Sequence, residues 1–172
     1  GAILGEAPSP VHEDLVARPL APYGASKLAV EGYCSAFAGA YGMDIMSLRF
    51  SNVYGPRSYH KGSVVAHFLK QILSGEELVV YGDGQQVRDY VFVKDLCAGI
   101  HQALVAGKSG VFQLGTGIPT DLNELIALMQ ETIGDFGEAS VRYEEARQGE
   151  ILKTWCDISK ARREFEFDPA TT

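Results

Sequence analysis

Pro22-Tyr23-Gly24-Ala25-Ser26-Lys27 opens a run with helical patterning that lasts to Tyr41, and Met43 to Phe50 follows with mainly apolar residues over strand length. A helix that feeds directly into a buried strand is the connection of a parallel sheet, so the stretch predicts an α/β fold. Pro22 suits a first helical turn, where its missing N–H does no harm, and Gly42 suits the C-cap. Leu28, Tyr33, Ala36, Phe37 and Ala40 fall broadly on one side, which predicts a helix buried against a sheet or a partner. Tyr23 and Lys27 are four residues apart and project from one face, a turn apart. An ammonium beside a phenol favours the phenolate, moving a tyrosine from its usual pKa of about 10 towards working pH, where it can serve as a general base. The plain alternative is a tyrosine and a lysine that merely share a helix.

Outward from this stretch, residues 1 to 21 hold three of the seven prolines without helical or strand periodicity and read as an exposed loop. Ser51 to Arg57 leaves the carboxyl end of the predicted strand, where ligands of open α/β sheets sit. Ser63 to Leu73 is a helix with Val64, Val65, Phe68, Leu69 and Ile72 as its stripe. Glu77 to Tyr81 and Arg88 to Val93 are short strands around the turn at Gly82 to Gln86. Lys94 to Ala106 is a helix with Leu96, Ile100, Ala103 and Leu104 inward, and Val111 to Leu114 is a strand. Asp121 caps a helix carrying Leu122, Leu125, Ile126, Met129 and Ile133, with Glu124 placed as in a capping box. Val141 to Tyr143 is a strand, Arg147 to Glu150 a loop, and Asp157 opens the last helix.

Composition narrows the function. Of 172 residues, 46% are hydrophobic and 22% charged, which is ordinary for a globular protein. A net charge of -7 supplies no basic footprint for a phosphate backbone, so nucleic acid is not expected as a partner. No apolar run reaches membrane-spanning length. Cys34, Cys97 and Cys156 are odd in number and widely spaced, which predicts reduced core thiols in a cytoplasm, and no secretory leader is read at the start. His12, His60, His67 and His101 have no metal-ligand spacing, so no metal is expected. Gly82-Asp83-Gly84 and Gly115-Thr116-Gly117 lack the third glycine and the following helix of a dinucleotide fingerprint and read as turns.

The segment PLAPYGASK (19–27), then LAVEGYCSAF (28–37) and MDIMSLRFSNVYGPR (43–57), with LVVYGDGQQVRDYVFVKDL (78–96) further on, resembles the extended short-chain dehydrogenase/reductase family, in particular its nucleotide-sugar epimerases and dehydratases. The resemblance implies the C-terminal part of a Rossmann-type enzyme: an incomplete parallel sheet plus a smaller α/β substrate-binding domain. Residues 1–55 would be a remnant of the NAD-binding domain, and residues 56–172 mainly the substrate-binding domain, with some segments returning to the first sheet. The implied activity is NAD-dependent epimerisation at C4 of a UDP-hexose through a 4-keto intermediate. A homodimer through the Tyr23–Lys27 helix is implied as well.

By the same resemblance, Tyr23 is the catalytic base, and Lys27 holds the nicotinamide ribose and activates Tyr23. Asn52 contacts the substrate diphosphate, Tyr81 offers a face for the base, Arg88 and Arg147 grip phosphate oxygens, and Glu150 replaces an aspartate near the ribose. The family's catalytic Ser or Thr would fall immediately before Gly1, and no glycine-rich pyrophosphate turn is read, so this chain alone is expected to be inactive. The 4,6-dehydratases carry an Asp-Glu pair where this chain has Gly1 and Ala2, which favours an epimerase. HKGSVVAHF (60–68) is similar to such epimerases. A sister sugar epimerase or 4,6-dehydratase, or a non-catalytic nucleotide-sugar-binding and dimerisation fragment, stands as the alternative. Arg49, Arg57, Arg88 and Arg147 are expected to form a local cationic pocket on an acidic molecule.

Overall fold

The computed structural model describes residues 1–134, 139–147 and 149–171. In chain order the elements are α1 (Pro22–Tyr41), β1 (Met46–Phe50), β2 (Asn52–Tyr54), α2 (Val64–Ser74), β3 (Leu78–Tyr81), β4 (Val87–Arg88), β5 (Tyr90–Phe92), α3 (Val93–Ala106), β6 (Gly110–Leu114), β7 (Thr120–Asp121), α4 (Leu122–Ile133), β8 (Val141–Glu144) and α5 (Ser159–Phe165). The α/β alternation predicted from the sequence is present, and among the described residues three of the four strand pairings are parallel.

One feature of the topology positions everything else. β1 pairs in parallel with β6, matching Phe50 to Leu114, while β2 pairs in parallel with β5, matching Asn52 to Tyr90. The change of partner happens across one peptide unit: Ser51 N–H donates to Leu114 O and Asn52 N–H donates to Asp89 O, each at 2.9 Å. Where neighbouring strands part in this way a crevice opens at their carboxyl ends, the place where α/β sheets take ligands. Asn52 therefore starts a strand at that crevice.

The two strands expected around the turn at Gly82 do not pair with one another. β3 lies parallel to β8, and β4 runs antiparallel to β7. The turn instead docks on α4: Gly84 O accepts from the N–H groups of Leu122 and Asn123, and a Cβ at Gly84 would stand 2.1 Å from Asn123 Oδ1. Only glycine fits there, at φ +77.

Among the described residues two apolar clusters form. One gathers Leu4, Val11, Val91, Leu96, Phe112, Leu114, Ile158, Phe165 and Phe167; the other gathers Phe68, Ile72, Leu78, Val80 and the α4 stripe Leu122, Leu125, Ile126 and Met129. The expected loop at residues 1 to 21 is irregular, but it is not simply exposed, because Leu4 and Val11 are each 2% exposed and Val11 bridges Cys156. On α3, Leu104 faces outward, and the inward position is taken by Gly99, where a Cβ would meet the Phe167 ring at 2.5 Å.

The first helix departs furthest from expectation. Gly24 is its one buried residue, pressed on the main chain of Ala2, and Tyr33, Phe37 and Tyr41 lie exposed. The face turned to the rest of the chain carries Leu28, Glu31, Cys34 and Ala38, a stripe at helical spacing with a carboxylate in its middle. That carboxylate hid the stripe in the sequence. It is half of an ion pair: Arg49 on β1 donates through Nε and Nη2 to the two Glu31 oxygens at 2.7 and 2.8 Å.

Candidate active site

A cleft of about 720 Å³ opens where the strands part, and Tyr23, Lys27, Ser51, Asn52, Arg88 and Asp89 are on its wall. α1 delivers the first two from one side. Tyr23 is 65% exposed, and Lys27 Nζ stands over its ring, 5.4 Å from the centroid. Nothing in the described chain covers the phenol, so a ligand in the cleft has direct access to it.

A smaller cavity of about 230 Å³ lies on the far side of Asn52 and Arg88, lined also by Ser63, Gln86, Tyr90 and Glu150. Asn52 and Arg88 thus form a shared wall. Arg88 is anchored there by Nη1, which donates to Val87 O at 2.9 Å, while Nη2 donates to Glu150 Oε1 at 3.3 Å. Burial pushes the Tyr90 phenol up to about 12 against the opposing effect of Arg88, so Tyr90 remains a neutral wall of this cavity at working pH.

Tyr81 and Arg147 come together elsewhere. The Arg147 guanidinium lies over the Tyr81 ring, 3.8 Å from its centroid, a cation–π stack that occupies one ring face. Neither residue lines the two cavities. Of the loop Arg147 to Glu150, Gln148 lies outside the described residues. The four expected arginines do not make one cationic pocket: Arg49 is neutralised by Glu31 and Arg88 by Glu150, Arg147 is stacked on Tyr81, and Arg57 is exposed.

Asp89 is the residue that the sequence reading passed over. It is 2% exposed and accepts from five donors: Thr116 N–H and Oγ at 2.9 Å, Gly117 N–H at 3.0 Å, and Cys156 N–H and Sγ at 3.2 and 3.1 Å. A buried carboxylate is tolerated when hydrogen bonds replace its water in this way. Burial first, and the Asp89 charge second, push the Cys156 thiol well above its ordinary range, so it stays a protonated donor. The glycine pair at 115 and 117 is part of this node: a Cβ on Gly115 would meet Ser51 Oγ at 2.3 Å, Cys156 Sγ at 2.5 Å and Asp89 Oδ2 at 2.7 Å. The available clue was an acid inside an otherwise strand-like run, Val87 to Val93.

Cys156 is a buried thiol as expected, whereas Cys97 is exposed and Cys34 half-buried. Among the described residues, no group of three or more His, Cys, Asp and Glu side chains could hold a metal ion, and no helix is long and apolar enough to cross a membrane.

The fold and this cleft define a class: a parallel α/β protein with a Tyr-x-x-x-Lys helix on the wall of a crevice between parting strands. The chain belongs to the NAD dependent epimerase/dehydratase family, which matches residues 1–115. It is similar to the UDP-glucose 4-epimerase of Thermotoga maritima, solved with UDP-glucose, at 38% identity and a TM-score of 0.92 over 100% of this chain and 56% of that one. It is also similar to the UDP-glucuronic acid 4-epimerase of Bacillus cereus, solved with UDP-glucuronic acid and NAD, at 30% identity and a TM-score of 0.91 over 99% and 55% of the two chains. A dTDP-glucose 4,6-dehydratase of Streptomyces griseus is 34% identical over 92% of this chain and 48% of its own. The chain spans about half the length of the curated relatives it matches.

Proposed function

We propose that the chain supplies the catalytic helix and the nucleotide-sugar pocket of an NAD-dependent epimerase acting at C4 of a UDP-hexose of the glucose/galactose type. The observation that carries this reading is the single cleft lined by Tyr23, Lys27, Asn52 and Arg88. NAD, when bound, supplies the hydride acceptor. The wall fits its ribose end, since the exposed Tyr23 phenol and the Lys27 ammonium face the same open space. Tyr23 takes the proton from the sugar C4 hydroxyl, and Lys27, whose ammonium stands over the Tyr23 ring, holds the ribose. Asn52 and Arg88 fix the diphosphate, so that the sugar reaches towards Tyr23; Tyr81 and Arg147 with Glu150 serve the base, the second phosphate and the ribose. With the diphosphate held by Asn52 and Arg88, the sugar would be free to present either face of C4 beside Tyr23, which inversion at that carbon requires.

Epimerase is preferred to 4,6-dehydratase on residue 2. Ala2 lines the cleft beside Gly24, within a turn of Tyr23, and its methyl group can neither give nor take a proton. The chain on its own is read as binding without turnover, with residues 1–55 belonging to the cofactor domain and 56–172 mainly to the substrate domain. The exposed stripe of Tyr33, Phe37 and Tyr41 on α1 is read as a homodimer surface, and the free thiols are read as those of a cytoplasmic protein. Calorimetry with UDP, followed by an assay with NAD and UDP-glucose, tests the proposal. Binding of UDP that Arg88→Ala weakens without abolishing is expected; failure of UDP to bind would end it. Release of a dehydrated sugar by the enzyme containing this chain would replace epimerase with dehydratase.

A further inference from the structure

Arg88 holds an internal anion already. Its Nη1 is committed to main-chain carbonyls, Val87 O at 2.9 Å and Leu152 O at 3.4 Å, and its Nη2 donates to Glu150 Oε1 at 3.3 Å. Both side chains line the 230 Å³ cavity, and both are mostly sheltered, at 20% and 29% exposure. The guanidinium is therefore fixed by the backbone, whereas its acidic partner sits on a loop. A phosphate group entering this cavity towards Arg88 meets the Glu150 carboxylate in the place it would need.

We propose that Glu150 is an exchange partner for Arg88: its carboxylate occupies the guanidinium in the free protein and is displaced by the phosphate of a nucleoside diphosphate, so that it sets the affinity for the charged part of the ligand. The inference rests on the nucleotide reading above and adds to it a role for Glu150 that a ribose contact does not predict. The physical basis is a competition of two anions for one cation. A phosphate offers more charge and several strong acceptors, so it wins, but the ion pair broken is subtracted from its binding. Side-chain length is a second handle, because an aspartate, one methylene shorter, draws the carboxylate back from a bond that is already 3.3 Å long.

The experiment is calorimetry on the 172-residue chain with two probes, UDP and uridine, for the wild type, Glu150→Gln and Glu150→Asp, with thermal melts to establish that each variant is folded. Glu150→Gln is expected to bind UDP about three- to fivefold more tightly, the range of a partly sheltered ion pair. Uridine, which has no phosphate to compete, is expected to bind unchanged. Glu150→Asp, too short to bridge, shifts in the same direction, and in an Arg88→Ala background the Glu150→Gln gain disappears. UDP binding that weakens or stays the same in Glu150→Gln would overturn the exchange, as would a gain that survives Arg88→Ala, which marks general repulsion. A wild-type chain that binds neither probe would instead remove the nucleotide reading itself, and the exchange with it.

Discussion

The main-chain carbonyl of Asp89 holds Asn52 twice, accepting from its amide N–H at 2.9 Å and from its side-chain Nδ2 at 3.2 Å. The Asp89 carboxylate in turn ties the loop after β6 to Cys156, so Asn52 inherits its position from a buried node. In Asp89→Asn, one carboxylate oxygen is replaced by an NH2 that faces donors. The expected loss is about 2–4 kcal/mol of stability, from buried donors left without acceptors. UDP affinity should fall with it, even far below the melting temperature. Urea unfolding reads the first and calorimetry the second; a change below about 0.5 kcal/mol would mean that the node is slack.

Glycines at 39 and 115 should respond to alanine in opposite directions. Gly39 lies within α1 with open space around it, so Gly39→Ala is expected to stabilise by about 0.5–1 kcal/mol through helix propensity. At Gly115 three side-chain atoms stand within 2.7 Å of the new methyl group. Overpacking predicts a loss of about 1–3 kcal/mol. Equal effects of the two substitutions would contradict the packing around Cys156.

The Glu31–Arg49 pair joins α1 to β1 with side chains only 14% and 12% exposed. Removing one partner strands a sheltered charge, so Glu31→Ala should cost about 3 kcal/mol or more. Replacing both with leucine should cost clearly less, because no charge remains to be desolvated. A double variant as unstable as the single one would show that the pair is not a sheltered unit.

Glu166 ends α5 with φ +58 and ψ 30, a left-handed conformation that a side chain disfavours. Glycine carries no such penalty. Glu166→Gly should raise stability by about 0.5–1 kcal/mol in thermal or chemical unfolding. A loss would indicate that the Glu166 side chain contributes more than the strain removes.

Asp157 accepts from Ser159 N–H at the start of α5 at 2.8 Å, and this bond, with one from the Ser159 side chain, lowers its pKa below the ordinary 3.8. A lowered carboxylate pKa stabilises the fold above the unfolded value and ceases to do so as pH falls through the folded one. The Tm difference between wild type and Asp157→Asn should therefore be constant above about pH 5 and shrink below pH 3.8. A difference independent of pH from 2 to 7 would assign the effect to shape alone.

Local patterns settled much of this chain in advance. Pro22 and Gly42 bound α1, Asp121 caps α4 through a 2.8 Å bond from Glu124 N–H, and the stripes of α2 and α4 are the ones that pack. The pairing of Tyr23 with Lys27 is likewise a matter of spacing along one helix. These features depend on neighbours three or four residues apart, which sequence order records directly.

What the tertiary structure alone decided is which distant residues meet. Asp89 with Thr116 and Cys156, Glu31 with Arg49, and Arg88 with Glu150 are separated by 18 to 67 positions. The face of α1 turned to the rest of the chain carries an acid, Glu31, whose arginine partner only the fold brings near. Charges in a sequence read as surface until their partners are known, and burial becomes affordable only when hydrogen bonds from remote segments replace water. The cleft exists for the same reason: one peptide unit, Ser51 to Asn52, changes its strand partner, and no local pattern announces where two strands will part.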